Sequence, residues 1–247
     1  MTRLADIGAG FAGATILVVG GRGGVGSAVV DQALALDARV VSASRRGIVD
    51  WDAPTSGTMS EARLDLEDAA SISAFAEAIR RKLGAIDILV LAGGTSRQTP
   101  LETLDDATID TVFATNAIGP LRLIRDLSPM LKAGVDPVIV NISSVAARTG
   151  LGSNIAYGGA KAAMDAMLLA LAKALAPLVR TVSIAPSALE TPFAAGRGPE
   201  FIARTIAVTP LGRLASLEEV ATAVLLAARG LSFTTGAVIP VDGGRSL

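Results

Sequence analysis

The chain has 247 residues, a formal net charge of −1, and neither histidine nor cysteine. Those absences exclude disulfides, thiolate nucleophiles and imidazole chemistry, and the near-neutral charge without a basic block argues against nucleic acid as a main partner. Mean hydropathy is +0.53, charged residues make up 18% and aromatics 3%, so extra apolar surface is expected between subunits and aromatic stacking platforms are not.

Short runs of valine and isoleucine alternate with longer alanine-rich segments. Thr15–Val19 reads as a buried strand, followed by a glycine loop and a helix over about Gly24–Leu36. Arg39–Ala43 is a second strand, a short third ends near Leu64, and Ala69–Leu83 is helical. Ile86–Leu91 is a fourth strand, and a long helix spans about Ala107–Leu131 with Gly119–Pro120 as a kink. Pro137–Ile142 is a fifth strand, Asn154–Leu175 a helix stopped by Pro177, and Thr181–Ala185 a sixth strand. Leu217–Arg229 is helical and Ala237–Val241 closes the series. Continuously apolar strands alternating with helices predict an α/β fold, a Rossmann-like doubly wound parallel sheet of about seven strands with helices on both faces. With no linker-like tract and no internal repeat, residues 1–247 are expected to form one domain. No run approaches eighteen apolar residues and no signal-peptide pattern opens the chain, so a cytoplasmic protein without a membrane span is expected.

The loop after the first strand carries Gly20, Gly24 and Gly26, with Arg22 and Val25 between them. Backbone amides at a helix N-terminus attract a pyrophosphate, and glycines let the main chain approach it. Ordinary tight turns also need glycine; the position in a strand–loop–helix unit points to a dinucleotide, although the spacing is wider than GxGxxG. The second strand ends in Ser44, Arg45 and Arg46 without a carboxylate. An acidic side chain there suits the 2′-hydroxyl of NAD, whereas arginine suits the 2′-phosphate of NADP. NADP(H) is therefore favoured over NAD(H), unless these arginines are merely solvated.

Tyr157 is the only tyrosine, four residues before Lys161 and thirteen after Ser144. Without histidine or cysteine, the candidates for proton transfer are carboxylates, lysines and this phenol. A four-residue spacing on a helix sets Tyr157 and Lys161 on one face and holds an ammonium near the phenol. Nothing suggests a metal.

Several motifs arrive in order: the Gly20/Gly24/Gly26 loop, Asp65, Asn116, Ser144, Tyr157 with Lys161, Pro186 with Thr191, and Val241-Asp242-Gly243-Gly244. From about Phe11 to Gly244 the chain resembles the single-domain short-chain dehydrogenase/reductase family, including its 3-oxoacyl thioester reductases. The resemblance implies a catalytic tetrad of Asn116, Ser144, Tyr157 and Lys161. In it Tyr157 exchanges a proton with the substrate oxygen and Ser144 hydrogen-bonds that oxygen. Lys161 assists the phenol and holds the nicotinamide ribose, and Asn116 supports a proton relay through a helix distortion. Ser143 is a rival for the serine role, but the spacing selects Ser144. Cofactor contacts are implied for Gly20, Arg22, Gly24, Val25, Gly26, Ser44, Arg45, Asp65, Leu66, Ala92, Gly93, Tyr157, Lys161, Pro186 and Thr191. Asp65 is implied to reach the adenine, or else caps the segment that follows. Enoyl reductases of the family carry a longer Tyr-to-Lys spacing, which disfavours that activity here.

The chain departs from the family in places. Leu91-Ala92-Gly93-Gly94 stands where an Asn-Asn-Ala-Gly turn is usual, which puts a strand-tying side-chain network in doubt. Val19 replaces a threonine, Ser187 a glycine and Val182 an asparagine. The expected activity is reduction of a ketone or oxidation of a secondary alcohol on a small-molecule substrate. The alternative is a non-catalytic dinucleotide sensor. Substrate walls are expected from residues 95–100 and 145–154 and from a lid over 187–209 bearing Phe193, Phe201 and Ile202. Arg97, Arg148, Glu190 and Arg197 are candidate polar determinants, and Arg122, Arg125 and Lys132 a thin candidate surface for an acidic carrier. The resemblance also implies a homotetramer, with Gly158, Gly159, Ala160, Ala162 and Ala163 allowing close helix approach.

Overall fold

A computed structural model describes residues 6–189 and 198–247. Seven strands form one sheet: β1 (Thr15–Val19), β2 (Arg39–Ser44), β3 (Met59–Arg63), β4 (Ile88–Leu91), β5 (Val138–Ile142), β6 (Arg180–Pro186) and β7 (Ala237–Val241). Their order is β3-β2-β1-β4-β5-β6-β7, and every adjacent pair is parallel. The α/β doubly wound expectation therefore holds.

The central strand β4 is wholly apolar and β1 nearly so, because both faces of the sheet are covered there. Along β1 and β4, Leu17, Val19, Leu89 and Leu91 join Phe75, Ile79, Leu123, Leu127 and Met164 in one core. The alternate residues Ile16, Val18, Ile88 and Val90 join Val29, Ala33, Val220 and Val224 in a second core. Side chains alternate across a strand, so a run of valine and isoleucine fills both layers.

The helices are α1 (Asp6–Ala9), α2 (Gly24–Leu34), α3 (Ala69–Lys82), α4 (Asp106–Phe113), α5 (Gly119–Lys132), α6 (Ala146–Thr149), α7 (Ile155–Leu175), α8 (Pro199–Ala207) and α9 (Leu217–Arg229). The single helix expected over Ala107–Leu131 is instead α4 and α5 joined by a π-turn at Ala114–Ile118. Pro120 has no N–H and cannot close the α-helical bond to the Asn116 carbonyl. The Gly119 N–H reaches back five residues to Ala114. The distortion thus begins before the expected kink and surrounds Asn116.

Short α1, α6 and the 3-10 turn Leu101–Thr103 were not expected, because elements this brief carry no periodicity. Within 187–209, read as a lid, Pro199–Ala207 is helical, and residues 190–197 lie outside the described ones. Helix α7 is long and apolar enough to suit a membrane by length and composition. Here it packs on the sheet and turns Lys161, Met164 and Leu168 inward.

Candidate active site

The chain continues outward from β1 on one side through β2 and on the other through β4, which opens a crevice at their carboxyl ends. Gly20 begins the loop there with φ +80, and a Cβ on it would run into the main chain of Ala92 and Gly93. Gly26, in the first turn of α2, has no room for a Cβ beside the Gly20 carbonyl. Val19 donates no side-chain bond, yet β1 is tied on both sides. The Gly20 N–H donates to Ala43 at 2.8 Å and the Ala92 N–H to Val19 at 2.9 Å. Main-chain bonds thus tie the switch point where the usual asparagines are missing.

Two clefts meet at Ala92, Gly93, Gly94 and Thr95. The first, about 190 Å³, is lined by Gly20, Ser44, Arg45, Asp65, Leu66 and Glu67 among others. The Ser44 hydroxyl is buried there without a hydrogen-bond partner. Arg45 approaches Glu67 at 3.8 Å, while Arg22 lies 3.4 Å from Glu61 and also donates to the Arg46 carbonyl at 3.2 Å. Asp65 accepts from the Glu67 N–H at 3.0 Å. The cap of α3 is Asp68, not Asp65, because Asp68 receives the Ala70 N–H. The orphan hydroxyl and the glycine cradle at a helix N-terminus suit a dinucleotide.

The second cleft, about 230 Å³, is lined by Val25, Asn116, Ser143, Ser144, Tyr157, Lys161, Pro186 and Ser187 among others. Asn154 caps α7 by accepting the Tyr157 N–H at 2.7 Å, and its amide donates to the Arg97 carbonyl at 2.7 Å. That cap holds the start of the Tyr157 turn against the loop after β4. The Ser144 side chain accepts the Ala146 N–H at 3.1 Å and lines the same cleft as the Tyr157 phenol. Lys161 is 6% exposed; its Nζ donates to the Ile142 carbonyl at 2.6 Å and lies 5.8 Å from the centroid of the Tyr157 ring.

Burial sets the charges. It pushes the Tyr157 phenol above its ordinary value, against the lowering effect of Ser144, and depresses Lys161 to about 8, against the raising effect of Asp165. Both groups are therefore biased toward their neutral forms in the protein alone. Asn116 donates to the carbonyls of Thr95 and Val112 at 2.8 and 2.9 Å, and its Oδ1 is buried without a partner.

The structure thus brings Val25, Asn116, Ser144, Tyr157, Lys161 and Pro186 to one cleft and Gly20, Ser44, Arg45, Asp65 and Leu66 to the other, with Ala92 and Gly93 shared by both. Gly24, Gly26 and Arg22 belong to the connecting loop and first helical turn. Thr191, Glu190, Phe193 and Arg197 lie outside the described residues. Arg97, Arg148, Arg122 and Lys132 are exposed, and Arg125 pairs with Asp126 at 2.7 Å. Sequence reasoning passed over Asp165, Ser183, Glu61 and Glu67. Asp165 was discoverable, since it continues the Tyr157–Lys161 stripe by one more turn.

Residues 20–246 match the family model described as enoyl-(acyl carrier protein) reductase. The 3-oxoacyl-(acyl-carrier-protein) reductase FabG of Escherichia coli K12 is 30% identical over 242 residues, covering 95% of this chain and 98% of that protein. The ligand-free aldohexose dehydrogenase of Thermoplasma acidophilum superposes with a TM-score of 0.86 at 25% identity, over 96% and 95% of the two chains. An RhlG/NADP active-site complex from Pseudomonas aeruginosa also gives 0.86, at 28% identity over 96% and 97%. With a parallel sheet of matching architecture and near-complete coverage, the chain belongs to the short-chain dehydrogenase/reductase family, oxidoreductases that act on carbonyl and alcohol groups.

Proposed function

We propose that this oxidoreductase uses NADP(H) to reduce a ketone, or to oxidise a secondary alcohol, with Tyr157 as its acid and base. The observation that carries the reading is the cluster of Ser144, Tyr157 and Lys161 in one cleft. The hydride is supplied, or taken up, by the bound nicotinamide. Tyr157 gives its phenolic proton to the carbonyl oxygen as the carbon is reduced, and takes it back in the reverse direction. Ser144 donates a hydrogen bond to the same oxygen and favours the charge that develops on it. A protonated Lys161 favours the phenolate left on Tyr157. Asn116, with its unpartnered Oδ1 beside the cleft, supports the relay that returns a proton from solvent.

NADP(H) specificity rests on Arg22 of the glycine loop and Arg45 just after β2, where Ser44 leaves an unpaired hydroxyl. Gly20, Gly24, Val25 and Gly26 cradle the pyrophosphate, and Asp65, Leu66, Ala92 and Gly93 enclose the adenosine half. Tyr157 and Lys161 would hold the nicotinamide ribose, and Pro186 would lie against the nicotinamide. The four-residue spacing of Tyr157 and Lys161 supports a carbonyl rather than an enoyl substrate. FabG, by its name a 3-oxoacyl reductase, makes a 3-oxoacyl thioester one form of that carbonyl.

We further propose a cytoplasmic homotetramer of one-domain subunits. Leu169, Leu178 and Phe233 are exposed apolar side chains, and β7 is an edge strand, so the isolated subunit leaves apolar surface uncovered.

The test is a panel of ketones, secondary alcohols and 3-oxoacyl thioesters, with NADPH and NADH followed separately by absorbance. Turnover with NADPH, lost in Tyr157→Phe while NADPH binding persists, is the expected result. A wild-type protein that binds NADPH and turns over none of the panel would instead be a dinucleotide sensor.

A further inference from the structure

Tyr157, Lys161 and Asp165 succeed one another every four residues along α7 and form one stripe against the sheet. The Asp165 carboxylate is fully engaged. One oxygen accepts from the Ser143 hydroxyl at 2.6 Å and the other from the Ser183 hydroxyl at 2.7 Å. Asn141 in turn donates to the Ser183 hydroxyl at 3.3 Å. These partners come from β5, its carboxyl end and β6, and Asn141, Ser143 and Ser183 are all buried. Ser143 lies between Ile142, whose carbonyl receives the Lys161 ammonium, and Ser144, which lines the cleft beside Tyr157.

We propose that Asp165 is a positioning residue for the Lys161–Tyr157 pair: its carboxylate clamps the stripe of α7 to the ends of β5 and β6 and sets a negative charge behind the buried ammonium. The inference rests on the oxidoreductase reading for its functional meaning, but its physical content is independent of it. A carboxylate held by two hydroxyls in a semi-buried position has little freedom to turn away, so its field acts on Lys161 continuously. Around Lys161 the titratable groups, among the described residues, are Tyr157 and Asp165. The ends of β5 and β6 present Asn141, Ser143, Ser144 and Ser183, and the π-turn presents Asn116; none of these titrates. Burial alone drives the ammonium toward its neutral form, and Asp165 is the charge that opposes this.

The chain has only four lysines, Lys82, Lys132, Lys161 and Lys173. Protein labelled with carbon-13 at lysine Cε therefore gives a simple NMR spectrum, and Lys161→Arg identifies the resonance of interest. In the wild type the Lys161 resonance should titrate near 8. Asp165→Asn should move that midpoint about 1 pH unit lower, and Asp165→Glu should restore most of the difference. If Asp165→Asn does not fold, Asp165→Ser keeps a hydrogen-bonding oxygen without the charge and should show the same displacement. An unchanged Lys161 midpoint in a natively folded neutral variant would overturn the proposal. The titration requires no substrate, so a displaced midpoint in a protein that reduces no carbonyl would uphold the Asp165–Lys161 coupling while removing the catalytic reading.

Discussion

The Lys161 ammonium donates to the main-chain carbonyl of Ile142 at 2.6 Å, one helical turn beyond Tyr157. A neutral acceptor offsets only part of the cost of burying a charge, and the depressed Lys161 value near 8 is the result.

That cost gives a pH dependence of stability with a defined sign. Lys161 binds its proton less tightly in the folded chain than its ordinary value of 10.5. The unfolded state therefore holds the extra proton between about 8 and 10.5, and stability rises with pH across that window. The penalty is fully present below 8 and amounts to ~3 kcal/mol. Tyr157, shifted upward, opposes the rise as its own range is entered above 10. Urea midpoints at constant ionic strength should increase from pH 8 toward 10 in the wild type, relative to a flatter course in Lys161→Met. Parallel courses for the two proteins would contradict the buried-ammonium account.

At the other end of the crevice, Arg22 and Arg45 each face a carboxylate, Glu61 or Glu67, which a 2′-phosphate must displace or share. A charged hydrogen bond contributes about 1.5–3 kcal/mol. Arg45→Ala should therefore weaken NADPH binding by about 10- to 100-fold and leave NADH nearly unchanged. Glu67→Gln should strengthen NADPH binding only about 2- to 5-fold, because exposed ion pairs are weak. Fluorescence titration of the wild type and both variants with each cofactor reads these affinities. Equal losses for NADH and NADPH in Arg45→Ala would argue against the phosphate role.

Gly26→Ala should lower stability by about 1–3 kcal/mol, because its new methyl meets the Gly20 carbonyl, a main-chain atom with no rotamer to give way. Gly8→Ala, where nothing lies within 4 Å, is the control. Thermal unfolding compares them, and the Gly26 variant should also lose cofactor affinity.

The opposite edge of the sheet offers a separation of stability from chemistry. Asp87 accepts the Thr15 N–H at 2.7 Å and the Val135 N–H at 2.6 Å, tying β1 to the loop after α5. Asp87→Ala strands two main-chain donors and should cost about 2–4 kcal/mol, read from the urea midpoint. Turnover per folded molecule at low temperature should be close to that of the wild type, since these bonds lie at the amino ends of the strands.

The central strands and the helices α2, α3, α7 and α9 were legible because each carries an apolar pattern, whereas the polar, partly exposed β3 was located only by an end near Leu64. The break at Ala114–Ile118 was not: Gly119 and Pro120 announce trouble in a helix, but only packing selects a π-turn over a simple bend. Asp65 could equally have capped α3, and Asp68 won that role by its position immediately before the first turn. Glu61 and Glu67 carry no local pattern that links them to Arg22 and Arg45, because β3 meets the glycine loop only after the sheet forms.

By itself the sequence determined the parallel α/β architecture, the glycine-loop position and the Tyr157–Lys161 stripe, since these depend on periodicities of two and about 3.6 along one chain. Only the tertiary structure decided which groups surround that stripe. The Ile142 carbonyl that accepts from Lys161 and the two serines on Asp165 come from β5, its carboxyl end and β6, each 18 to 22 residues away along the chain. Their effect on charge also depends on burial, which exists only once the layers have closed.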